Sequence, residues 1–142
     1  MTIKTYLGFD VGTKRTGIAI ANSLTAQANG IATVIHNKDG STNWIRLEEI
    51  IKRHRPNKFI VGLPLDKENN EQEMTYIAKS FGRKLGERFS IGVIFVDEFL
   101  SSSEAKNQLK WHHAHKNADR GEVDKKSAEL ILQTWLNETL RV

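Results

Sequence analysis

Three carboxylate stations can be picked out of this chain of 142 residues. Asp10 follows the apolar run Tyr6-Leu7-Gly8-Phe9 and precedes a glycine-rich turn, Asp97-Glu98 closes the run Ile91 to Val96, and Asp124 opens the last amphipathic segment. A carboxylate in apolar surroundings loses hydration and persists only where a metal, a cation or a set of N–H donors compensates it. Several acids in one place repel one another, and the chemistry that needs them together is the binding of Mg²⁺ or Mn²⁺, hard cations that take oxygen ligands. Two such ions about 4 Å apart can activate a water and stabilise the leaving oxygen of an in-line displacement at phosphorus. The expected reaction is hydrolysis of a phosphodiester.

Each station also has a plainer reading. Asp10 could be a turn residue bonded to the backbone of Val11-Gly12. Asp97-Glu98 could be a solvated strand end or a cap, and Asp124 an N-cap. Their joint occurrence favours a site. Of the pair, alternation along an extended strand end aims only one acid inward.

The cations suit a phosphate substrate, because Lys and Arg give sequence-independent, salt-sensitive affinity. Lys14 and Arg15 extend the turn after Asp10, and Lys110, Lys116, Arg120, Lys125 and Lys126 surround Asp124. Lys14, Arg15 and Lys125 are the candidate phosphate contacts. Lys52, Arg53, Arg55 and Lys58 around Pro56 read as an ordinary solvated face. Trp111-His112-His113-Ala114-His115 lacks a clean two-ligand spacing for a soft metal and reads as substrate contact or solvated surface, with Trp111 packing or stacking on a base.

The elements that must position these groups follow from periodicity. Thr5 to Phe9 and Thr16 to Ala21 read as a hairpin, and Gly30 to His36 as a third strand. Trp44, Leu47, Ile50 and Ile51 recur at helical spacing after the cap candidates Ser41, Thr42 and Asn43, and Pro56 closes that helix. Phe59 to Gly62, a helix with Met74, Ile77, Ala78, Phe81 and Leu85 on one face, and Ile91 to Val96 then give the order β-β-β-α-β-α-β, with parallel strands covered by helices. Gly62-Leu63-Pro64-Leu65 reads as a tight strand exit that floors the cleft. The spacing Ser101 to Glu104 predicts a helix running to about Trp111, His112 to Glu122 a mobile loop, and Asp124 the start of a last helix with Ala128, Ile131, Leu132, Trp135 and Leu136 inward. Asp124 shares that inward face, near the positive end of the helix dipole.

Composition bounds the class. At 39% hydrophobic and 27% charged residues the chain is globular rather than disordered, and its length suits one domain over 1–142. The 21 Lys+Arg against 17 Asp+Glu, net +4, permit a polyanionic partner. With no cysteine there is no disulfide or thiolate metal site. No apolar run approaches the ~20 residues of a membrane span, and Met1-Thr2-Ile3-Lys4 lacks a signal-peptide core. The expected location is the cytoplasm.

FDVGTKRTGIA from Phe9, IVGLPL from Ile60, VDEFLSS from Val96 and VDKKSAELILQ from Val123 resemble, in order and spacing over essentially the whole chain, the YqgF family, also called RuvX. The resemblance implies an α/β, ribonuclease H-like fold, a five-stranded mixed sheet flanked by helices. It further implies a bacterial cytoplasmic nuclease that processes pre-16S ribosomal RNA, with Holliday junction resolution as the alternative. It places the catalytic and metal-holding acids at Asp10, Glu98 and Asp124, with Asp97 as second choice. Where the family often has Arg after the Asp-Glu pair, this chain has Phe99, which removes a possible phosphate clamp. A resolvase would act as a two-fold dimer, whereas the RNA nuclease can be a monomer or a homodimer.

Two further classes stay open on the residues. Asp10-Val11-Gly12-Thr13 with Gly17 resembles the phosphate-binding turn of the sugar kinase, actin and chaperone ATPase superfamily, whose members close two such domains around a nucleotide. A non-catalytic RNA-binding assembly factor on the same fold would use the acids structurally.

Overall fold

The two leading apolar runs form the hairpin that their alternation predicts: β1 (Thr5–Val11) pairs antiparallel with β2 (Arg15–Asn22), and the Gly12 N–H donates to the Arg15 carbonyl at 2.9 Å to close the turn. The computed structural model describes residues 2–66, 68, 70–98 and 120–140. β3 (Asn29–Ile35) pairs antiparallel with β2. Helix α1 (Trp44–His54) leads to β4 (Lys58–Pro64), which lies parallel to β1, and α2 (Glu73–Phe89) leads to β5 (Gly92–Glu98), parallel to β4. Helix α3 (Arg120–Thr139) is the last described element. The result is a five-stranded mixed sheet in the order β3-β2-β1-β4-β5.

Local chemistry sets the helix ends. The Asn43 side chain accepts from the Arg46 N–H at 3.2 Å to cap α1, and Arg55 closes it in the left-handed region at φ 47°, its N–H on the Ile51 carbonyl at 2.9 Å. In α2 the buried Thr75 hydroxyl donates to the Pro64 carbonyl and accepts from the Gln72 N–H. That contact ties the start of α2 to the end of β4. Ile77, expected inward, is exposed, and Thr75 and Gly82 join Ala78, Phe81 and Leu85 on the buried face.

Three boundaries that bear on the acids differ from expectation. β1 continues through Asp10 to Val11 because Asp10 and Val11 pair with Gly17 and Thr16, so Asp10 is a strand residue rather than a turn residue. β5 likewise extends through Asp97 and Glu98, paired with Leu63 and Pro64. The last helix begins at Arg120, so residues 120–122 are helical rather than loop, and Asp124 lies inside the helix rather than at its N-cap. Thr33 Oγ donates to the Gly121 carbonyl at 2.7 Å and pins this first turn to β3. The predicted helix from Ser101 to Trp111, the rest of the predicted loop, Lys110, Lys116, the histidine run and Phe99 lie outside the described residues.

Strand alternation sorts the core into two faces. Leu7, Phe9, Val11, Ile18, Phe59, Val61 and Leu63 pack under α1 and α2, with Phe9 against Phe59 and Phe81 at 5.6 Å between ring centroids. Tyr6, Ala19, Ala21 and Ile60 pack under α3 with Ala128, Ile131, Leu132, Trp135 and Leu136, the five helix positions expected inward. Among the described residues no helix is long and apolar enough to cross a membrane.

Candidate active site

Asp10 faces α3. Tyr6 and Gly8 of β1 lie under that helix, and two residues on, alternation places Asp10 on the same side. Its rung partner is Gly17, where a Cβ would fall on the Asp124 carbonyl. Glycine at this rung therefore lets the α3 backbone settle directly on the sheet and carries Asp124 to Asp10. Burial, and then the Asp124 charge, push the Asp10 carboxyl from 3.8 up to about 6. Desolvation and a like charge both disfavour the ionised acid.

Arg15 is the cation at this meeting point. Two residues before Gly17, it projects toward α3, and its Nε donates to Asp124 Oδ2 at 2.6 Å, with the two side chains 25% and 20% exposed. Expected as a phosphate contact, Arg15 is here a partner of Asp124. Its strand position carried that signal, since in β2 Arg15, Gly17, Ala19 and Ala21 share one face. The exposed Lys14 sits in the hairpin turn, and its carbonyl accepts from the His36 N–H at 2.9 Å.

Of the pair closing β5, Asp97 is exposed and Glu98 partly buried, as alternation requires. Glu98 reaches back over β4: its Oε2 lies 3.0 Å from where a Gly62 Cβ would be, beside Ile131 of α3. Gly62 is one residue past Val61, the partner of Phe9, and so is level with Asp10 on the adjacent strand. The site floor expected from Gly62-Leu63-Pro64-Leu65 is thus a surface without a side chain, occupied by the Glu98 carboxylate. Lys125, one residue past Asp124, pairs with Glu122 at 3.0 Å and lies over Gly30 of β3.

All three acids stand on the α3 face of the sheet, toward the C-terminal ends of β1 and β5 and the first turns of α3. The coupling that can be read directly is Asp10 with Asp124 and Asp124 with Arg15. Among the described residues no three of His, Cys, Asp and Glu are grouped closely enough to hold a metal ion. The donor chemistry still suits a hard cation: oxygen ligands only, and a partly buried acid whose neighbour is another acid.

The chain has relatives over nearly its whole length. A family model described as "RuvX: Holliday junction resolvase" matches residues 4–138. The chain belongs to the RuvX family. RuvX relatives include a protein of Saccharophagus degradans, 43% identical over 136 residues, 95% of this chain and 94% of the relative. Another, from Aeromonas salmonicida, is 40% identical over 138 residues, 97% of this chain and 98% of the relative. Both carry the name "Putative pre-16S rRNA nuclease". Among solved structures, Thermus thermophilus RuvC in complex with a Holliday junction substrate superposes with a TM-score of 0.58 at 16% identity, covering 95% of this chain and 94% of that one. The fowlpox virus Holliday junction resolvase gives 0.57 at 15% identity, covering 94% and 99%. These likenesses make the fold ribonuclease H-like.

Proposed function

We propose that this RuvX protein is a metal-dependent nuclease that hydrolyses phosphodiester bonds in the cytoplasm, processing the 5′ end of pre-16S ribosomal RNA with residues 1–142 as one nuclease domain. The observation that carries the reading is the pair of acids from opposite ends of the chain, Asp10 and Asp124, coupled on the Asp10–Gly17 rung. The names of the relatives supply the substrate class.

Asp10, Asp124 and Glu98 are the residues that would hold Mg²⁺ or Mn²⁺. Such an ion, when bound, lowers the pKa of a water and offsets charge on the phosphate. Asp10 supplies a carboxylate whose ionised form is costly until a cation arrives. Arg15 orients Asp124 through Nε, and the remaining donors of its five-donor guanidinium would share its charge with a phosphate that reaches Asp124. Lys14 in the exposed turn and Lys125 on α3 serve as further phosphate contacts. Gly62 leaves the room over β4 that the Glu98 carboxylate occupies beside Ile131.

End-labelled 5′-extended ribosomal RNA precursor and a four-way DNA junction, each incubated with Mg²⁺ or Mn²⁺ beside Asp10→Asn, test this reading. Cleavage of the RNA that disappears in the variant is the expected result. Metal-dependent cleavage of the junction alone would move the assignment to a resolvase, the reading favoured by the family's description and one requiring a two-fold dimer. An Asp10→Asn protein that folds and cleaves the precursor as fast as wild type would remove Asp10 from the site.

A further inference from the structure

A nuclease site made of acids repels the polyanion it must hold. Arg15, the cation beside Asp124, is already engaged with it. Affinity for a nucleic acid therefore has to come from surface beyond the acids. Two cavities adjoin along the outer edge of the sheet, sharing Ile31, Ala32 and Arg46 in their linings. One, of about 330 Å³, starts at the first turn of α3 with Gly121, Glu122 and Lys125. The other, of about 250 Å³, continues beside α1 to Glu49, Arg53 and His54. Together they make a groove that begins at Lys125, one residue past Asp124, and passes β3 at Ile31 to Thr33, on the side where among the described residues β3 has no further strand.

Resting on the nuclease reading, we propose that this groove holds a single-stranded flank of the RNA substrate by its phosphates, with Arg46 and Arg53 as contacts beyond Lys125. The groove's acids are each tied to one of its own cations: Glu49 to Arg46 at 3.0 Å and Glu122 to Lys125 at 3.0 Å. Exposed pairs of this kind are worth only about 0.2–1 kcal/mol and exchange readily for a phosphate. Arg53 is exposed and takes part in no ion pair among the described residues. From Arg46 to His54 the helix rises about 12 Å at ~1.5 Å per residue. That is the length of three to four stacked nucleotides at about 3.4 Å each. Two cations about two helical turns apart, on one side of a groove that starts one residue past Asp124, fit a tracked backbone.

The experiment uses Asp10→Asn protein and a fluorescein-labelled RNA hairpin with and without a single-stranded tail, titrated by anisotropy over a range of salt. Adding Arg46→Gln and Arg53→Gln should weaken binding of the tailed RNA about tenfold and flatten the log–log salt slope by about 0.7 per residue. Binding of the tailless hairpin should not change. Lys52→Gln, an exposed cation on the same helix that does not line the groove, should leave both unchanged. An unaltered tail-dependent affinity in the double variant, or an equal loss from Lys52→Gln, overturns the groove. Cleavage by the otherwise wild-type protein is read separately. A tail effect on binding without any cleavage would retain the groove and reject the nuclease, and cleavage without a tail effect would do the reverse.

Discussion

On the face covered by α1 and α2, β1 presents Leu7, Phe9 and Val11 to Phe59, Phe81 and Leu47. On the face covered by α3 the same strand presents Tyr6, Gly8 and Asp10, flanked by Gly17, Ala19 and Gly62 on its neighbours. The first face is filled with large side chains and its helices ride at side-chain distance. The second is stripped of them, so a helix backbone descends until Asp124 couples to Asp10 and Ile131 meets Gly62. One side of the sheet supplies stability, whereas the other gives some up to assemble charge. Buried apolar area favours the fold, while an acid with a raised pKa works against it.

The contrast is broken most directly by one substitution on each face. Asp10→Asn should lower cleavage by about a thousandfold, or ~4 kcal/mol of transition-state stabilisation, while the urea midpoint stays level or rises. Phe59→Ala, on a fully buried ring, should cost about 3–5 kcal/mol of stability and leave the rate per folded molecule nearly intact. Single-turnover rates and urea melts on both variants check the pair. A collapse of Asp10→Asn on melting, or a rate loss in folded Phe59→Ala as large as that of Asp10→Asn, would erase the distinction between the faces.

The acid's cost can be read by pH. Below 3.8 the Asp10 carboxyl is protonated folded or unfolded and contributes nothing. Between 3.8 and about 6 the folded chain keeps a proton that the unfolded chain releases, so stability falls as pH rises. Above about 6 the full cost is present, up to about 3 kcal/mol at ~1.4 per pKa unit. In metal-free buffer, wild type minus Asp10→Asn in urea melts should follow this curve, and Mg²⁺ should recover most of the difference at neutral pH. A flat difference across the window would mean that Asp10 is not desolvated.

Much of this was legible in the residues, and the rest for reasons that can be named. The five inward positions of α3 follow from periodicity, because buried helix faces are written residue by residue; alternation turns only one acid of the Asp97-Glu98 pair inward, and the family resemblance is what singles out Glu98, the partly buried one. The start of α3 is not legible, because a polar run with Gly121 reads as loop, and only the Thr33 hydroxyl on the Gly121 carbonyl, 88 residues apart in sequence, shows why the turn forms. The Arg15–Asp124 pair joins residues 109 apart and became visible only with the register. Helical spacing alone puts Ile77 inward, whereas Thr75 takes the buried position with its bond to the Pro64 carbonyl.

The stripped face makes a smaller prediction about space. At Gly62 a Cβ would stand 2.7 Å from Ile131 Cδ1 and 3.0 Å from Glu98 Oε2. Both are ends of side chains that can move, so Gly62→Ala should cost about 1–3 kcal/mol, the range for overpacking. It should also displace Glu98 and lower cleavage about tenfold or more. Gly17→Ala meets the Asp124 backbone, which cannot rotate away, and should be the more damaging of the two by both measures. Equal effects would show that α3 yields as easily as a side chain.

The smallest effect concerns Arg15, the cation that stands between the two faces' logics. Its pair with Asp124 is partly exposed, so Arg15→Gln should cost no more than about 1 kcal/mol in metal-free urea melts, and less at high salt. The guanidinium also offsets the repulsion between Asp124 and Asp10. A divalent cation on these acids supplies the same positive charge, so the gap between variant and wild type should narrow as Mg²⁺ is added. If the gap were instead independent of both salt and Mg²⁺, Arg15 would be holding α3 to β2 by packing of its stem. The charge on Asp124 would then be balanced by something other than this pair.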